Sequence, residues 1–195
     1  MSEQGARVNV TLCILSDRPD HLRVLLACLH LQTYQDWHAV VLDQAQDPAV
    51  VVPLCQLDPR IRHHLVPRRG DWGQAVKYQA AVDCASTWVG FPNDDAYYCP
   101  RYLELMLQRA TETRAELVYC DWVSAADAVG MPYTRYQGVP QIGQIDVGGF
   151  LVKRDVLVTH GWPDRGPTGD GVLIESLIRN GVSHVRVPAV CYVKN

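Results

Sequence analysis

Several features that mark common protein classes are missing from this sequence. Its seven cysteines are an odd, scattered set without a CxxC pair, which argues against a disulfide framework or a zinc site. The first residues lack the basic start and apolar core of a signal peptide, and no apolar stretch approaches the roughly 20 residues of a membrane span. The net charge of −3 comes without a long basic run, so nucleic acid is not an expected partner. We therefore expect a reduced, cytoplasmic protein with no membrane span.

Three glycine-based motifs are missing as well. No GxGxxG follows the first apolar run, and neither GxxxxGK(S/T) nor GxSxG occurs anywhere. Their absence disfavours a dinucleotide-binding fold, an ATPase-type phosphate loop and a hydrolase nucleophile elbow. What remains is a chain of 195 residues, 48% of them hydrophobic, which suits one domain with a well-packed core.

Apolar, β-rich runs alternate with helical patterns, most regularly in the first half of the chain. The predicted strands lie at 8–15, 37–42, 61–66, 88–91, 116–120, 145–152 and 184–193. The predicted helices lie at about 19–31, 74–84, 100–114, 153–159 and 172–180, with a short helix or irregular crossover at 47–57. Such alternation predicts an α/β protein with a mostly parallel sheet.

An acidic segment directly follows the uncharged run at 88–91. Asn93, Asp94 and Asp95 stand just beyond the end of that predicted strand. In open α/β sheets, ligands bind beyond the carboxyl ends of the strands. Oxygen ligands at that place suit Mg²⁺ or Mn²⁺, either of which can neutralise a diphosphate. The alternative is a simple strand-ending turn, since Asn and Asp favour turns anyway.

Two other stretches of the first half carry candidate donor-binding groups. Asp43 ends the second predicted strand, where a carboxylate can accept hydrogen bonds from a nucleoside or can simply belong to a turn. Arg68, Arg69 and Lys77 flank a predicted helix start near Gly73, where positive charge and the helix dipole favour phosphate. Ordinary surface charge is the alternative for these three side chains.

The second half is less regular. Residues 123–144 have no clear period and are predicted to form a loop, in which Tyr133 and Tyr136 suit either a sugar-binding lid or ordinary packing. Gly148 and Gly149 interrupt a predicted strand, which often marks the close approach of a ligand or another backbone. Asp170 opens a helix and is either a helix cap or a general base at the edge of a cleft.

Five segments, spread over nearly the whole chain, form an ordered set of motifs. They are VTLCILSDRPDHLRVLLACLHLQTYQDWHAVVLD near the start, GDWG at 70–73, FPNDD at 91–95, VGGFLVKR at 147–154 and GDG at 169–171. In this order they resemble a small soluble family-2 glycosyltransferase of the GT-A fold, over roughly residues 7–193. The resemblance implies a single Rossmann-like three-layer sandwich, with a nucleotide-sugar half at about 7–100 and an acceptor and catalytic-base half at about 101–195.

The resemblance also implies a chemistry and a set of site residues. A nucleoside-diphosphate sugar would be the donor and a saccharide or other hydroxyl the acceptor, joined in one inverting, non-processive displacement. Asp170 would be the catalytic base, and Asp95 with Asn93 would hold Mn²⁺ or Mg²⁺. The implied donor-binding residues are Ser16, Asp17, Asp43, Gly73, Lys77, Asn93 and Asp94, and the implied acceptor-binding residues are Gly148, Gly149 and Trp162. Formation of a homodimer is left open.

The sequence departs from the family pattern at three places. Asn93 replaces the first acidic residue of the metal motif, Gly169 stands before the base, and Val193-Lys194-Asn195 offers no histidine near the last strand. The QxxRW signature of processive synthases is missing too. Two alternatives therefore accompany the transferase. One is a nucleotide-sugar binding protein without catalysis, and the other is a nucleotidyltransferase, which would need a glycine-rich loop after the first strand.

Overall fold

The computed structural model describes residues 9–44, 48–68, 72–125, 133–163 and 166–195. Within these ranges, nine strands form one sheet. The strands are β1 (Val10–Ser16), β2 (Trp37–Asp43), β3 (Ile61–Leu65), β4 (Trp88–Gly90), β5 (Ala96–Tyr98), β6 (Leu117–Ala125), β7 (Tyr133–Tyr136), β8 (Phe150–Lys153) and β9 (His184–Lys194). The helices are α1 (Pro19–His30), α2 (Pro48–Cys55), α3 (Gln74–Asp83), α4 (Tyr102–Thr113), α5 (Arg154–His160) and α6 (Gly169–Arg179), with a 3-10 turn at Val147–Gly149.

The sheet is mixed but largely parallel. Its strand order is β3-β2-β1-β4-β8-β6-β9-β5, and β7 pairs with β6. Strands β1 to β4 are mutually parallel, β6 and β9 are parallel to each other, and β8 runs antiparallel between β4 and β6. Of the described strands, only β5, β7 and β8 therefore oppose the common direction. The predicted α/β class and mostly parallel sheet are confirmed.

Helices cover the sheet on both faces and complete three layers. Side chains of α1, α2 and α4 pack into one hydrophobic cluster, and those of α3, α5 and α6 pack into a second. Strand β1 serves both clusters, since Leu12 and Ile14 point to the first and Cys13 to the second. Each face of the sheet thus has its own core, which explains why the central strands read as continuous apolar runs.

Helix α1 is held by burial rather than by a cap. Arg18, at its N-cap position, makes no side-chain capping hydrogen bond, which forgoes about 1 kcal/mol. Leu22, Leu25 and Leu29 are fully buried, and each contributes about 1.5–3 kcal/mol relative to an exposed side chain. Burial therefore outweighs the missing cap, and the Arg18 side chain is available to reach elsewhere.

Two sequence predictions are wrong in detail. The predicted loop at 123–144 contains the end of β6 and all of β7, which pair from Trp122 with Tyr136 to Ala125 with Tyr133; residues 126–132 lie outside the described ranges. The predicted strand at 145–152 begins only at Phe150, because the Asp146 carboxylate accepts the Gly148 N–H and caps the 3-10 turn before it.

Candidate active site

A large cavity opens at the carboxyl ends of the parallel strands. It encloses about 930 Å³, within the usual size of a small-molecule site. An isolated parallel bridge between Leu15 and Asn93 places the end of β1 beside the acidic segment. Nine residues singled out from the sequence line this cavity: Ser16, Asp17, Arg68, Gly73, Lys77, Asn93, Asp94, Asp95 and Asp170. Asp95 and Asp170, which are far apart in the chain, thus share one pocket.

The acidic segment is held by the turn that follows β1. Asp94 is 5% exposed, and its Oδ2 accepts the Ser16 hydroxyl at 2.9 Å and Arg18 Nε at 3.4 Å. The Arg18 Nη2 also pairs with Asp94 Oδ1 and lies 3.2 Å from Asp95 Oδ2. Burial disfavours the charged guanidinium, but the hydrogen bond and charge of Asp94 outweigh it and raise the pKa of Arg18. Arg18 therefore stays fully charged and pairs with both carboxylates.

Asp95 supplies the atom best suited to a metal ion. Its Oδ1 is buried and has no hydrogen-bond partner among the described residues, and such an orphaned acceptor calls for a cation or a donor. The described part of the chain contains no cluster of three or more His, Cys, Asp or Glu side chains that could hold a metal. Mg²⁺ usually takes one or two carboxylates and completes its shell with substrate phosphates and water. The residues present fit a cation of that kind.

Asp146 organises another part of the cavity wall and was missed in the sequence. Its Oδ1 accepts from Asn93 Nδ2 at 2.8 Å, from the Gly148 N–H at 2.9 Å and from the Tyr192 hydroxyl at 3.0 Å. Its Oδ2 accepts from Lys194 Nζ. Burial disfavours the charge on Lys194, but Asp146 outweighs it and raises the pKa of that ammonium. The Asn93 amide is therefore engaged with Asp146, and a second cation joins the cavity wall.

Asp170 lies in the first turn of α6 and is half-buried. Burial raises the pKa of its carboxyl, the Gly171 N–H at 2.8 Å from Oδ1 opposes this, and the charge of Asp146 adds to it. A raised pKa makes a carboxylate a stronger base, which suits proton abstraction near neutral pH. Close packing fixes its position, because a Cβ added at Gly171 would lie 2.5 Å from the Ile142 Cα.

Lys77 enters the cavity from α3. It is 7% exposed, and burial lowers the pKa of its ammonium, although Asp146, Asp170 and Asp94 act in the opposite direction. Arg68, another candidate phosphate ligand, also lines the cavity and pairs with Asp17. Arg69, Gly70 and Asp71 lie outside the described residues. Basic side chains thus line several parts of the cavity that contains the acidic segment.

Four predicted site residues lie behind the cavity wall rather than on it. Asp43 is fully buried, and its Oδ2 lies 2.8 Å from His63 Nε2, while the next residue, Gln44, lines the cavity. The other three are Gly148, Gly149 and Trp162, all of them buried. The glycines make room for aromatic side chains, since an added Cβ would collide with the Tyr98 hydroxyl at Gly148 and crowd Tyr192 at Gly149.

Trp162 supports the segment that contains Asp170 from behind. Its Nε1–H donates to the Gly169 carbonyl at 2.9 Å, one residue before Asp170. Its ring packs edge-on against Phe91, with centroids 5.0 Å apart. Trp162 therefore connects the start of α6 with the chain just before the acidic segment.

A smaller recess adjoins the main cavity next to Asp170. It encloses about 250 Å³ and shares Asp146, Pro167, Asp170 and Lys194 with the cavity. Its far wall contains Trp122 and Tyr136, whose rings stack with centroids 5.1 Å apart and planes 11° apart. Tyr136 is 39% exposed, so part of this side chain is accessible at the recess. Only the pairing of β7 with β6 brings it there.

The fold and this cavity are typical of the GT-A class of nucleotide-sugar-binding transferases. Residues 15–159 match the model of "Glycosyl transferase family 2", and the chain therefore belongs to this family. The resemblance seen in the sequence is confirmed. Comparison with curated protein sequences gives no match.

Solved structures of S. aureus TarS have the same fold. TarS 1–349 is similar with a TM-score of 0.76 and 13% identity, over 96% of this chain and 60% of that one. The same fragment in complex with UDP-GlcNAc gives a TM-score of 0.74 and 13% identity, over 95% of this chain and 58% of that one. This chain therefore spans about 60% of the TarS fragment. Within the described residues, no helix has the length and apolar character to cross a membrane.

Proposed function

We propose that this protein transfers a sugar from a nucleoside-diphosphate sugar to an acceptor hydroxyl, with inversion at the anomeric carbon and without processive movement. The observation that carries the proposal is the shared cavity of Asp95 and Asp170. Asp95 is proposed to hold a cation that neutralises the diphosphate. Asp170 is proposed as a half-buried base next to the recess that contains Trp122 and Tyr136. A single displacement needs both groups on one pocket.

The donor is proposed to lie along the main cavity, mostly against the half at about 7–100. Lys77 and Arg68 present positive charge for the diphosphate. Asp95, with Asn93 or Asp94 assisting, is proposed to hold Mn²⁺ or Mg²⁺. When bound, such an ion neutralises the charge that builds up on the departing diphosphate. Uridine is the first nucleotide to test, because TarS 1–349 was solved in complex with UDP and with UDP-GlcNAc.

The acceptor is proposed to enter through the smaller recess, in the half at about 101–195. A saccharide can stack its apolar face on Tyr136. Its hydroxyl would then face Asp170, which takes the proton as the oxygen attacks the anomeric carbon. Attack from the recess comes from the side away from the diphosphate, and that geometry inverts the anomeric centre. Gly148, Gly149 and Trp162 hold the walls behind this step.

Asp170→Asn is the experiment that tests the proposal. The variant should keep donor binding, measured by calorimetry with UDP, but lose sugar transfer, since the amide cannot accept the proton. Donors are screened first as UDP-, GDP-, dTDP- and CMP-sugars, by release of the nucleoside diphosphate. Asp155→Asn is the matched control, because this carboxylate is 92% exposed on α5.

The outcomes separate the three functions considered. Retained transfer in Asp170→Asn, with Asp155→Asn also active, would remove Asp170 as the base. Nucleotide binding without turnover of any donor in the unmodified protein would instead support a binding protein without catalysis. Release of pyrophosphate from a nucleoside triphosphate and a sugar phosphate would support a nucleotidyltransferase.

A further inference from the structure

One arginine, Arg18, neutralises the acidic segment, as a bound metal ion would. The Arg18 guanidinium bonds both oxygens of Asp94 and lies 3.2 Å from Asp95 Oδ2. A further carboxylate, Asp17, lies 3.7 Å from Arg18 Nε. A single cation therefore connects the carboxylates that the proposed function assigns to the metal and to the donor.

The Arg18 side chain has open space to move into, whereas its partners are largely buried. Its side chain is 45% exposed, while those of Asp94 and Asp95 are 4% and 13% exposed. Asp94 would keep the Ser16 hydroxyl if the arginine moved. The backbone of Arg18 at the start of α1 does not depend on its side chain, which caps nothing. A swing of the guanidinium toward the open cavity therefore costs the loss of these ion pairs and little else.

The arginine also leaves the acidic pair incompletely satisfied. Asp95 Oδ1 is buried without a partner among the described residues, although Oδ2 of the same carboxylate has Arg18. Two carboxylates facing one guanidinium retain a net negative charge. A divalent ion could satisfy both, but it would meet the positive charge of Arg18 at the same oxygens. The two cations cannot both bind there at full strength.

We propose that Arg18 is a removable counterion, which holds Asp94 and Asp95 in the donor-free protein and excludes the metal ion until a diphosphate draws the guanidinium away. This inference rests on the proposed function. It makes metal and donor binding mutually dependent, since the phosphates both attract the displaced arginine and supply the metal with ligands. By linkage, the donor then raises metal affinity by the same factor as the metal raises donor affinity.

The test measures Mn²⁺ binding directly, from the electron paramagnetic resonance signal of the free ion, with and without UDP. The variants are Arg18→Gln and, as matched control, Arg109→Gln. Arg109 on α4 carries the same charge and is equally exposed, at 45%, but it pairs with Glu112 and does not line the cavity. A charge within about 4–6 Å of a carboxylate changes its affinity for another cation by about 1–3 pKa units, which is about 10- to 1000-fold.

Without UDP, Arg18→Gln should bind Mn²⁺ about tenfold or more tightly than the unmodified protein does. The control Arg109→Gln should change little, and the enhancement of Mn²⁺ binding by UDP should shrink in Arg18→Gln but not in Arg109→Gln. A second variant, Arg18→Lys, keeps the charge but cannot span two carboxylates, so an intermediate affinity is expected. It gives the answer if Arg18→Gln fails to fold, as judged by circular dichroism.

Two results would overturn the inference and leave the proposed function standing. One is an Arg18→Gln protein with unchanged Mn²⁺ affinity and an unchanged response to UDP. The other is an equal gain in Arg18→Gln and Arg109→Gln, which would indicate a general charge effect. If the unmodified protein binds UDP but no Mn²⁺ in its presence, the metal-assisted part of the proposed function fails together with the inference.

Discussion

Asp146→Asn isolates the electrostatic contribution of Asp146 to the proposed base. The asparagine keeps an oxygen that can accept from Asn93, Gly148 and Tyr192, which bond Asp146 Oδ1 at 2.8–3.0 Å. It removes the negative charge that faces Asp170 and that pairs with Lys194. The side chain changes by one atom, so the cavity wall keeps its shape.

The cost in stability can be worked out from the contacts. Hydrogen bonds to a charged acceptor contribute about 1.5–3 kcal/mol and those to a neutral acceptor about 0.5–1.5 kcal/mol, so the three retained bonds weaken rather than disappear. The pair with Lys194, whose side chain is 34% exposed, is worth about 1 kcal/mol in such a setting. A total loss of about 4–5 kcal/mol is expected, which lowers the melting temperature by about 8–20 °C in a protein of this size.

The catalytic effect has a definite sign. Burial and the charge of Asp146 both raise the pKa of Asp170, so removing that charge lowers the pKa, and the ammonium of Lys194 then acts in the same direction. Asp170 will stay deprotonated at lower pH, and the acid limb of kcat moves to lower pH. Because the weaker base accepts a proton less readily, the plateau of kcat falls.

The assay is the pH profile of kcat together with a thermal melt of the same preparation. A lower melting temperature with an acid limb that stays in place, or that moves to higher pH, would refute the coupling between Asp146 and the base. It would also leave Asp146 with a purely structural role.

Two other substitutions give simple tests. Asp95→Ala should abolish the part of UDP binding that depends on Mn²⁺, as measured by calorimetry with and without the ion. Unchanged metal dependence would remove Asp95 from the metal site. Asp155→Ala on the exposed face of α5 is the control. Asp121→Asn should destabilise the protein by about 2–3 kcal/mol at neutral pH, because this fully buried carboxylate accepts two hydrogen bonds of 2.8 Å from Arg186, which weaken when the acceptor is neutral. Burial works against the charge on Asp121, but Arg186, the Gly138 N–H and Arg135 together outweigh it and lower the pKa. This stabilisation is therefore present above the ordinary carboxyl pKa of about 3.9 and is lost as the pH falls below it. Denaturant melts should therefore show that the difference in the free energy of unfolding between the two proteins decreases in acid. A difference that increases in acid would contradict this account.

The predicted strands that correspond to β1, β2 and β4 are largely buried, and burial on both faces of a sheet favours a predominantly apolar sequence. β3 and β9 were also predicted, at 61–66 and 184–193, although most of their residues are not buried. β5 and β7 were missed because they are only three and four residues long and carry exposed tyrosines. Neither shows a period of its own. β5 is specified by its antiparallel pairing with β9, and β7 by its pairing with β6, contacts that no local pattern reveals.

The candidate site divides in a similar way. The residues that follow β1 and β4 could be singled out, since the carboxyl ends of parallel strands meet at one edge. Asp146 and Lys194 could not, because one follows no strand end and the other is the last residue of β9, in an antiparallel pairing with Ala96. Arg18 lies in the loop after β1, which does border the site, but its partners Asp94 and Asp95 are more than seventy positions away in the chain.

The order of apolar runs and the polar residues after them was enough to determine the α/β class, the family and the position of the acidic segment, because these depend on local composition and chain order. Tertiary structure alone decided which charges face each other. In the folded protein Asp43 is buried against His63, Arg18 pairs with Asp94 and Asp95, and the charge of Asp146 acts on Asp170. Electrostatic interactions depend on distance and burial in three dimensions, and neither quantity can be read from spacing along the chain.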